Sequence, residues 1–308
     1  MTNWFQTEEC YDFYKSLSFL EPFKFEVCRD GEVKGRIVGY IQKDGGRLKQ
    51  FLSRRAIING GPMLAEDITE EEVETLLNEC RDKLKGKAIY IETRNFDDYS
   101  PYRAIFEKCG WRYEPHYNFI LDTTSDDVLS RFSENHRRSI KSAIKQGAKI
   151  NNAPGRSQIS DFYAILTNLY SSKVKTPLFP EEFFQELAAV CKIITVHDRD
   201  NKVVGGIAMA TKPSETGYEW FVCGDDLNYK KLHPSTVATY AGIKYAQDFG
   251  YKKFDFMGAG APGDGGYGVR DFKAKFGGKL VEYGRFKCVV NRSLYIIGCL
   301  GVKFIKRH

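Results

Sequence analysis

A lysine at position 273 stands beside an apolar stripe. Val269, Phe272 and Phe276 recur at i, i+3 and i+7, the spacing of one helix face. Lys273 flanks that face, so its stem can pack while its ammonium reaches a cleft. A fixed cation there could stabilise a developing oxyanion. The plainer alternative is a surface lysine. Asp255, on the alternating run KKFDFMG, is a candidate base for an attacking amine or a structural acceptor. Between the two lies FMGAGAPGDGGYG, in which Gly258, Gly260 and Gly263 spell GxGxxG after a strand. A dinucleotide site needs the helix to start at once, and here it waits for Val269. A loop whose backbone approaches substrate fits better, with Gly258 and Gly260 as the contacts and Asp264 as a turn residue.

Other candidates follow from charge and alternation. Tyr218 and Trp220 alternate on GYEWFVCG and so share one face, either core or the lining of an acceptor cleft. Residues 131–156 carry Arg131, Arg137, Arg138, Lys141, Lys145, Lys149 and Arg156 against one acid, Glu134. That run is a solvated helix face or a phosphate-contacting surface. From it Arg138, and from the later short helix Arg270, are candidate cations for an anionic ligand. Lys24, Arg36 and Arg54 in the first half are cations that could meet an anionic ligand, and each is equally a surface charge. The histidines show no metal pattern, and no GxSxG or Cys/His signature supports a covalent nucleophile. Eight scattered cysteines lack zinc spacing and read as buried thiols. No metal and no resident cofactor are expected.

These residues need elements to hold them. At 308 residues the chain is long for one domain. Its net charge of +6 allows an anionic partner without demanding one. Two hairpins, FKFEVCRDGEVKGRIVGYIQ and KIITVHDRDNKVVGGIAMAT, turn at Asp30-Gly31 and Asp200-Asn201. Each precedes a helix, a short strand, a short helix ending at glycine (YRAIFEKCG, VRDFKAKFG) and two more strands. Placing Gly110 on Gly277 also puts Arg103 on Arg270 and Phe106 on Lys273. The chain therefore reads as a tandem duplication in which one copy keeps the lysine. The N-terminus is acidic and aromatic, unlike a secretory signal. No run of ~18 apolar residues spans a membrane. The tail SLYIIGCLGVKFIKRH reads as an element returning to the core, or as a membrane-surface contact favouring anionic lipid.

This order resembles the GNAT acyltransferase fold. Two such units, with RRSIKSAIKQGAKI opening the second and FDFMG…DFKAKFGGKLVEY near its end, resemble the Fem-type aminoacyltransferases, which add amino acids from aminoacyl-tRNA to the peptide of a cell-wall precursor. The resemblance implies an α+β fold of two tandem GNAT-like domains, each a mixed, mostly antiparallel sheet with flanking helices. It implies a first, acceptor-binding domain of residues 1–114 and 289–308, and a second, donor-binding and catalytic domain of residues 115–288. Phe272-Lys273 matches a Phe-Lys pair that meets the tRNA acceptor end, and Lys175 stands where a basic residue faces the precursor's phosphates. The expected partners are aminoacyl-tRNA and a nucleotide- or lipid-linked envelope precursor. The expected place is the bacterial cytoplasm, with the inner membrane surface as a variant. A GNAT enzyme using acyl-CoA grips its pyrophosphate with glycines opening the central helix. NYKKLHPSTVATYAG lacks them. An N-acyltransferase using acyl-CoA or an acyl carrier protein on an amino sugar or peptide is the alternative, and a non-catalytic binding module is the third reading.

Overall fold

The computed structural model describes residues 3–42, 54–125, 127–174, 176–211, 215–264 and 268–305. The chain forms two compact units, 1–116 with 282–308 and 117–281. Each contains a seven-stranded, mostly antiparallel sheet.

In the first unit, β1 (Leu20–Arg29) and β2 (Glu32–Gln42) close through Asp30 and Gly31, both at positive φ. Asp-Gly tolerates that geometry, and it matches the twist of a hairpin. The sheet runs β1-β2-β3-β5-β14-β6, with β3 at Arg55–Gly60, β5 at Tyr90–Asn95, β14 at Arg285–Val289 and β6 at Arg112–Glu114; β4 (Met63–Leu64) pairs with β2. One face carries Ile41, Ala56, Ile58, Ile91 and Cys288 into a core. Leu76 and Leu77 of α2 (Glu70–Leu84) and Phe106 of α3 (Arg103–Lys108) complete that core. Thr69 and Glu72 form a capping box that starts α2. Before the hairpin, α1 (Glu8–Ser16) sets Tyr14 against Tyr40 of β2.

The second unit orders its strands β13-β7-β12-β11-β10-β9-β8. Their bounds are β7 Tyr117–Asp122, β8 Lys149–Asn151, β9 Lys192–His197, β10 Val203–Ala210, β11 Thr216–Gly224, β12 Lys253–Asp255 and β13 Lys279–Glu282. After α4 (Glu134–Lys145), helices α5 (Arg156–Leu169), α6 (Glu181–Val190) and α7 (Pro234–Asp248) surround the sheet. Two glycines let helices close on opposite faces. Gly206 admits Phe162 of α5, and Gly242 of α7 lies on Ile207 and Met209. The short α8 (Gly268–Ala274) follows the glycine-rich loop. It leads to Gly277, whose φ is +81° and whose place a Cβ could not share with the Arg131 carbonyl.

The two strands after each short helix part company. β6 stays in the first sheet while β7 joins the second; β13 stays in the second while β14 enters the first between β5 and β6. The sequence reading kept each pair together and put the return to the first unit at residue 289. The return occurs at 282, because β14 hydrogen-bonds to β5 and β6. The tail is α9 (Arg292–Ile305), not a buried element. Tyr295 packs on Tyr90, but Ile296, Ile297 and Leu300 are more than half exposed. Nor are all thiols buried, since Cys28 and Cys299 are exposed. Among the described residues no helix is long and apolar enough to cross a membrane.

Candidate active site

The second sheet opens where the first stays closed. In the first unit the parallel pair β3 and β5 remains in register for six residues, Arg55–Gly60 against Tyr90–Asn95. The corresponding pair in the second unit, β11 and β12, holds only for Thr216–Tyr218 against Lys253–Asp255. β11 then runs on to Gly224, and among the described residues its strand partner there is β10. The strands separate at Glu219. A bulge marks the same point: Met209 pairs with Glu219 and Ala208 with Phe221, leaving Trp220 extra. The bulge breaks the alternation that placed Tyr218 and Trp220 together. Trp220 instead stacks on Phe221, and both rings meet Phe183. Tyr218 is buried beside Asp255 in register.

Lys273 reaches this opening from α8. It is the buried residue of that helix, whereas Val269 of the expected apolar stripe is 45% exposed. Its Nζ lies 3.1 Å from Glu219 Oε1 and donates to the carbonyl oxygens of Gly258 (3.0 Å) and Phe256. An ammonium has three N–H donors, and three acceptors surround this one. The side chain therefore pins the loop after β12 to α8. Glu219 is 3% exposed, and burial pushes its carboxyl above the usual range, with Lys273 and Thr239 opposing that shift. Its register partner Met209 lies against α7, so Glu219 belongs to the α7 face.

Asp255 has a different setting. Its neighbour Phe254 packs towards α7, so Asp255 turns to the opposite face. It is 1% exposed and accepts from Asn118 Nδ2 (2.7 Å) and the Met257 amide (2.6 Å). Asn118 Oδ1 in turn accepts from the Gly258 amide at 2.8 Å. Together they fix the turn in which Met257 and Gly258 take positive φ, 52° and 114°. Contacts of this kind are those of a structural acceptor. Arg270 braces the same loop, donating to the carbonyls of Ala259 (2.9 Å) and Ala261 (2.7 Å) and lying over Tyr117. Gly260 gives its carbonyl to the Tyr117 amide, and Asp264 accepts from the Ala261 amide. Phe272 packs on Phe276 and on His136 of α4.

The remaining candidates lie apart. Arg138 is 68% exposed on α4, held loosely by Asn135 and Glu134, with Lys141 and Lys145 also exposed. Lys24 and Arg36 form an ion-pair network with Glu8 and Glu26 in the first unit. Arg54 lies just before β3, half-buried. Lys175 lies outside the described residues. No group of acids, histidines and cysteines suited to a metal occurs among the described residues. Sequence reasoning missed Glu219, Asn118 and His136. Glu219 had a signal: a lone acid inside the apolar strand GYEWFVCG needs a buried cation, and Lys273 was the lysine in question.

This arrangement can be set beside known proteins. Residues 172–300 match the model of the FemAB family. The matched FemAB segment spans β9 to β14, including Glu219, the loop after β12 and Lys273. A crystal structure of FemX superposes at TM-score 0.70 with 15% identity, over 96% of this chain and 94% of that one. L-PGS from Bacillus licheniformis gives 0.61 and 15%, over 97% and 92%. A tandem GNAT protein from the clavulanic acid biosynthesis pathway gives 0.56 and 10%, over 89% and 84%. The shared fold is thus the tandem GNAT-like one. No curated protein matches the chain. The FemAB match and the shared fold support an acyltransferase.

Proposed function

We propose that this chain is an aminoacyltransferase: it moves an aminoacyl group from aminoacyl-tRNA to an amine of a cell-envelope precursor, forming an amide. The observation that carries this reading is the parting of β11 from β12 beside the Lys273–Glu219 pair, in the segment that matches FemAB, while the first unit keeps its equivalent strands closed. The second unit thus supplies the reacting site, and the exposed cations of α4 supply a surface for RNA phosphates. In the transfer, the amine attacks the ester carbonyl, the tetrahedral oxyanion collapses, and the tRNA hydroxyl leaves with a proton. Lys273 contributes by holding the loop carbonyls and keeping a positive charge near the developing oxyanion. Asp255 and Asn118 keep the turn in shape, and the amine loses its proton to water or to a substrate carboxylate.

The acyl-CoA alternative meets an obstacle at the start of α7. Asp226 Oδ1 accepts from the Ser235 amide at 3.2 Å, placing a carboxylate where a helix N-terminus would otherwise attract a pyrophosphate. For location, exposed Ile296, Ile297 and Leu300 precede Lys303, Lys306 and Arg307 in sequence, a pattern suited to an anionic membrane surface. The test is transfer itself: the chain is incubated with radiolabelled aminoacyl-tRNA and nucleotide- or lipid-linked envelope precursors carrying a free amine. Label in an amide product supports the reading; transfer from acetyl-CoA alone replaces it with the alternative.

A further inference from the structure

α8 cannot set its own direction. It spans Gly268–Ala274, seven residues, and helices shorter than about 12 residues do not hold together in water without packing. Lys273 and Arg270 tie one side of it to Glu219 and to the loop after β12. The rest of its seat comes from the residues that open α4. Ser133, the N-cap of α4, donates its amide to the Lys275 carbonyl at 2.8 Å. Phe132 meets Phe276 edge-on, with ring centroids 5.1 Å apart.

His136 closes this seat. Its ring is 7% exposed, and its centroid lies 4.5 Å from that of Phe276 and 5.4 Å from that of Phe272, edge-on to both. Edge-to-face contacts of this kind are directional, so they fix orientation as well as distance. The Phe272 backbone carbonyl is a hydrogen-bond acceptor beside the ring. Burial next to Lys275 and His233 keeps the imidazole uncharged at neutral pH, so no buried charge opposes the contact. The outer face of the same helix carries the exposed Arg138, Lys141 and Lys145.

We propose, given the reading of α4 as the donor's surface and of Lys273 as the reacting-site cation, that His136 is a positioning residue. It fixes α8 on α4, so the helix that offers cations to the donor also sets where Lys273 Nζ stands. Phe272 and Lys273 are adjacent, and a tilt of α8 about the His136 contact is carried along the lysine side chain to Nζ. A misplacement of about 1 Å at a reacting centre costs on the order of a hundredfold in rate. Donor binding through the outer face of α4 does not depend on that tilt. Turnover and donor binding should therefore separate when His136 is changed.

The test compares His136→Ala, His136→Phe and Leu166→Ala in the full chain. Leu166 is fully buried on α5, the helix that packs on β9, β10 and β11, and its truncation opens a cavity elsewhere in the unit. Hydrogen exchange of residues 268–277 is read against the α7 amides, which correct for global stability. It should speed up about tenfold or more in His136→Ala, and stay at the wild-type ratio in Leu166→Ala and in His136→Phe, which keeps the ring contacts. In transfer assays His136→Ala should lower kcat about tenfold or more, with the donor KM within about twofold, and His136→Phe should recover most of the loss. Failure of the wild-type chain to use aminoacyl-tRNA would strike the donor assignment alone. The same kcat and KM comparison is then made with acetyl-CoA, and the exchange result needs no turnover. Equal loosening of 268–277 in the two alanine variants, an unchanged kcat in His136→Ala, or an equal loss of kcat in Leu166→Ala would each overturn the proposal.

Discussion

Lys273 and Glu219 should behave as one unit. Removing one member of a buried ion pair costs about 3–5 kcal/mol, whereas replacing both with neutral groups costs far less. Lys273→Met and Glu219→Gln should therefore each lower Tm sharply, and the double variant should recover much of the deficit. Thermal melts of the four proteins check this; strict additivity would mean that the 3.1 Å ion pair carries no coupling. His136 provides a pH test. Burial, with Lys275 and His233 nearby, pulls its pKa from 6.5 to about 4. The folded state thus keeps it neutral while the unfolded chain gains a proton below 6.5. Stability is full above that pH and should fall by roughly 2 kcal/mol as pH drops from 6.5 towards 4. In His136→Phe, urea titrations across this window should lack that part of the slope.

At the scale of elements, much was legible because local chemistry decided it. Asp30-Gly31 fixed the first hairpin, and the glycine ending VRDFKAKFG has its positive φ at Gly277. The duplicated order is visible in two sheets whose strands follow corresponding orders. The strand exchange was not legible, since KLVEYGRFKCVV reads as a hairpin until the distant partners of β14 are known. The bulge at Trp220 was hidden for the same reason: alternation says nothing about an extra residue. Lys24 and Arg36 read as lone charges in the sequence because their partners Glu8 and Glu26 come from another element and across the hairpin. The α4 surface yields a quantitative prediction. Replacing Arg138, Lys141 and Lys145 with Gln should weaken binding of a tRNA acceptor minihelix. It should also flatten the log–log salt dependence by about 1 for each phosphate no longer neutralised. Fluorescence titrations at several salt concentrations measure both; an unchanged slope would remove α4 from the RNA surface.

The whole molecule is stitched by exchange, and that makes the units unequal when separated. Residues 117–281 contain all seven strands of the second sheet in one continuous segment. Residues 1–116 lack β14, the strand that joins β5 to β6. The fragment 117–281 should fold cooperatively on its own, whereas 1–116 should not unless residues 282–308 are fused to it. Circular dichroism melts of the three fragments decide this.

Donor choice is tested most directly by the thermal stability of the intact chain with an aminoacylated tRNA minihelix and, separately, with acetyl-CoA. A ligand at ~100 times its dissociation constant stabilises the fold by about 2.7 kcal/mol. An aminoacyl-tRNA enzyme should show a rise in Tm with the minihelix, abolished at high salt, and none with acetyl-CoA. A shift with acetyl-CoA and none with the minihelix would contradict the proposed function.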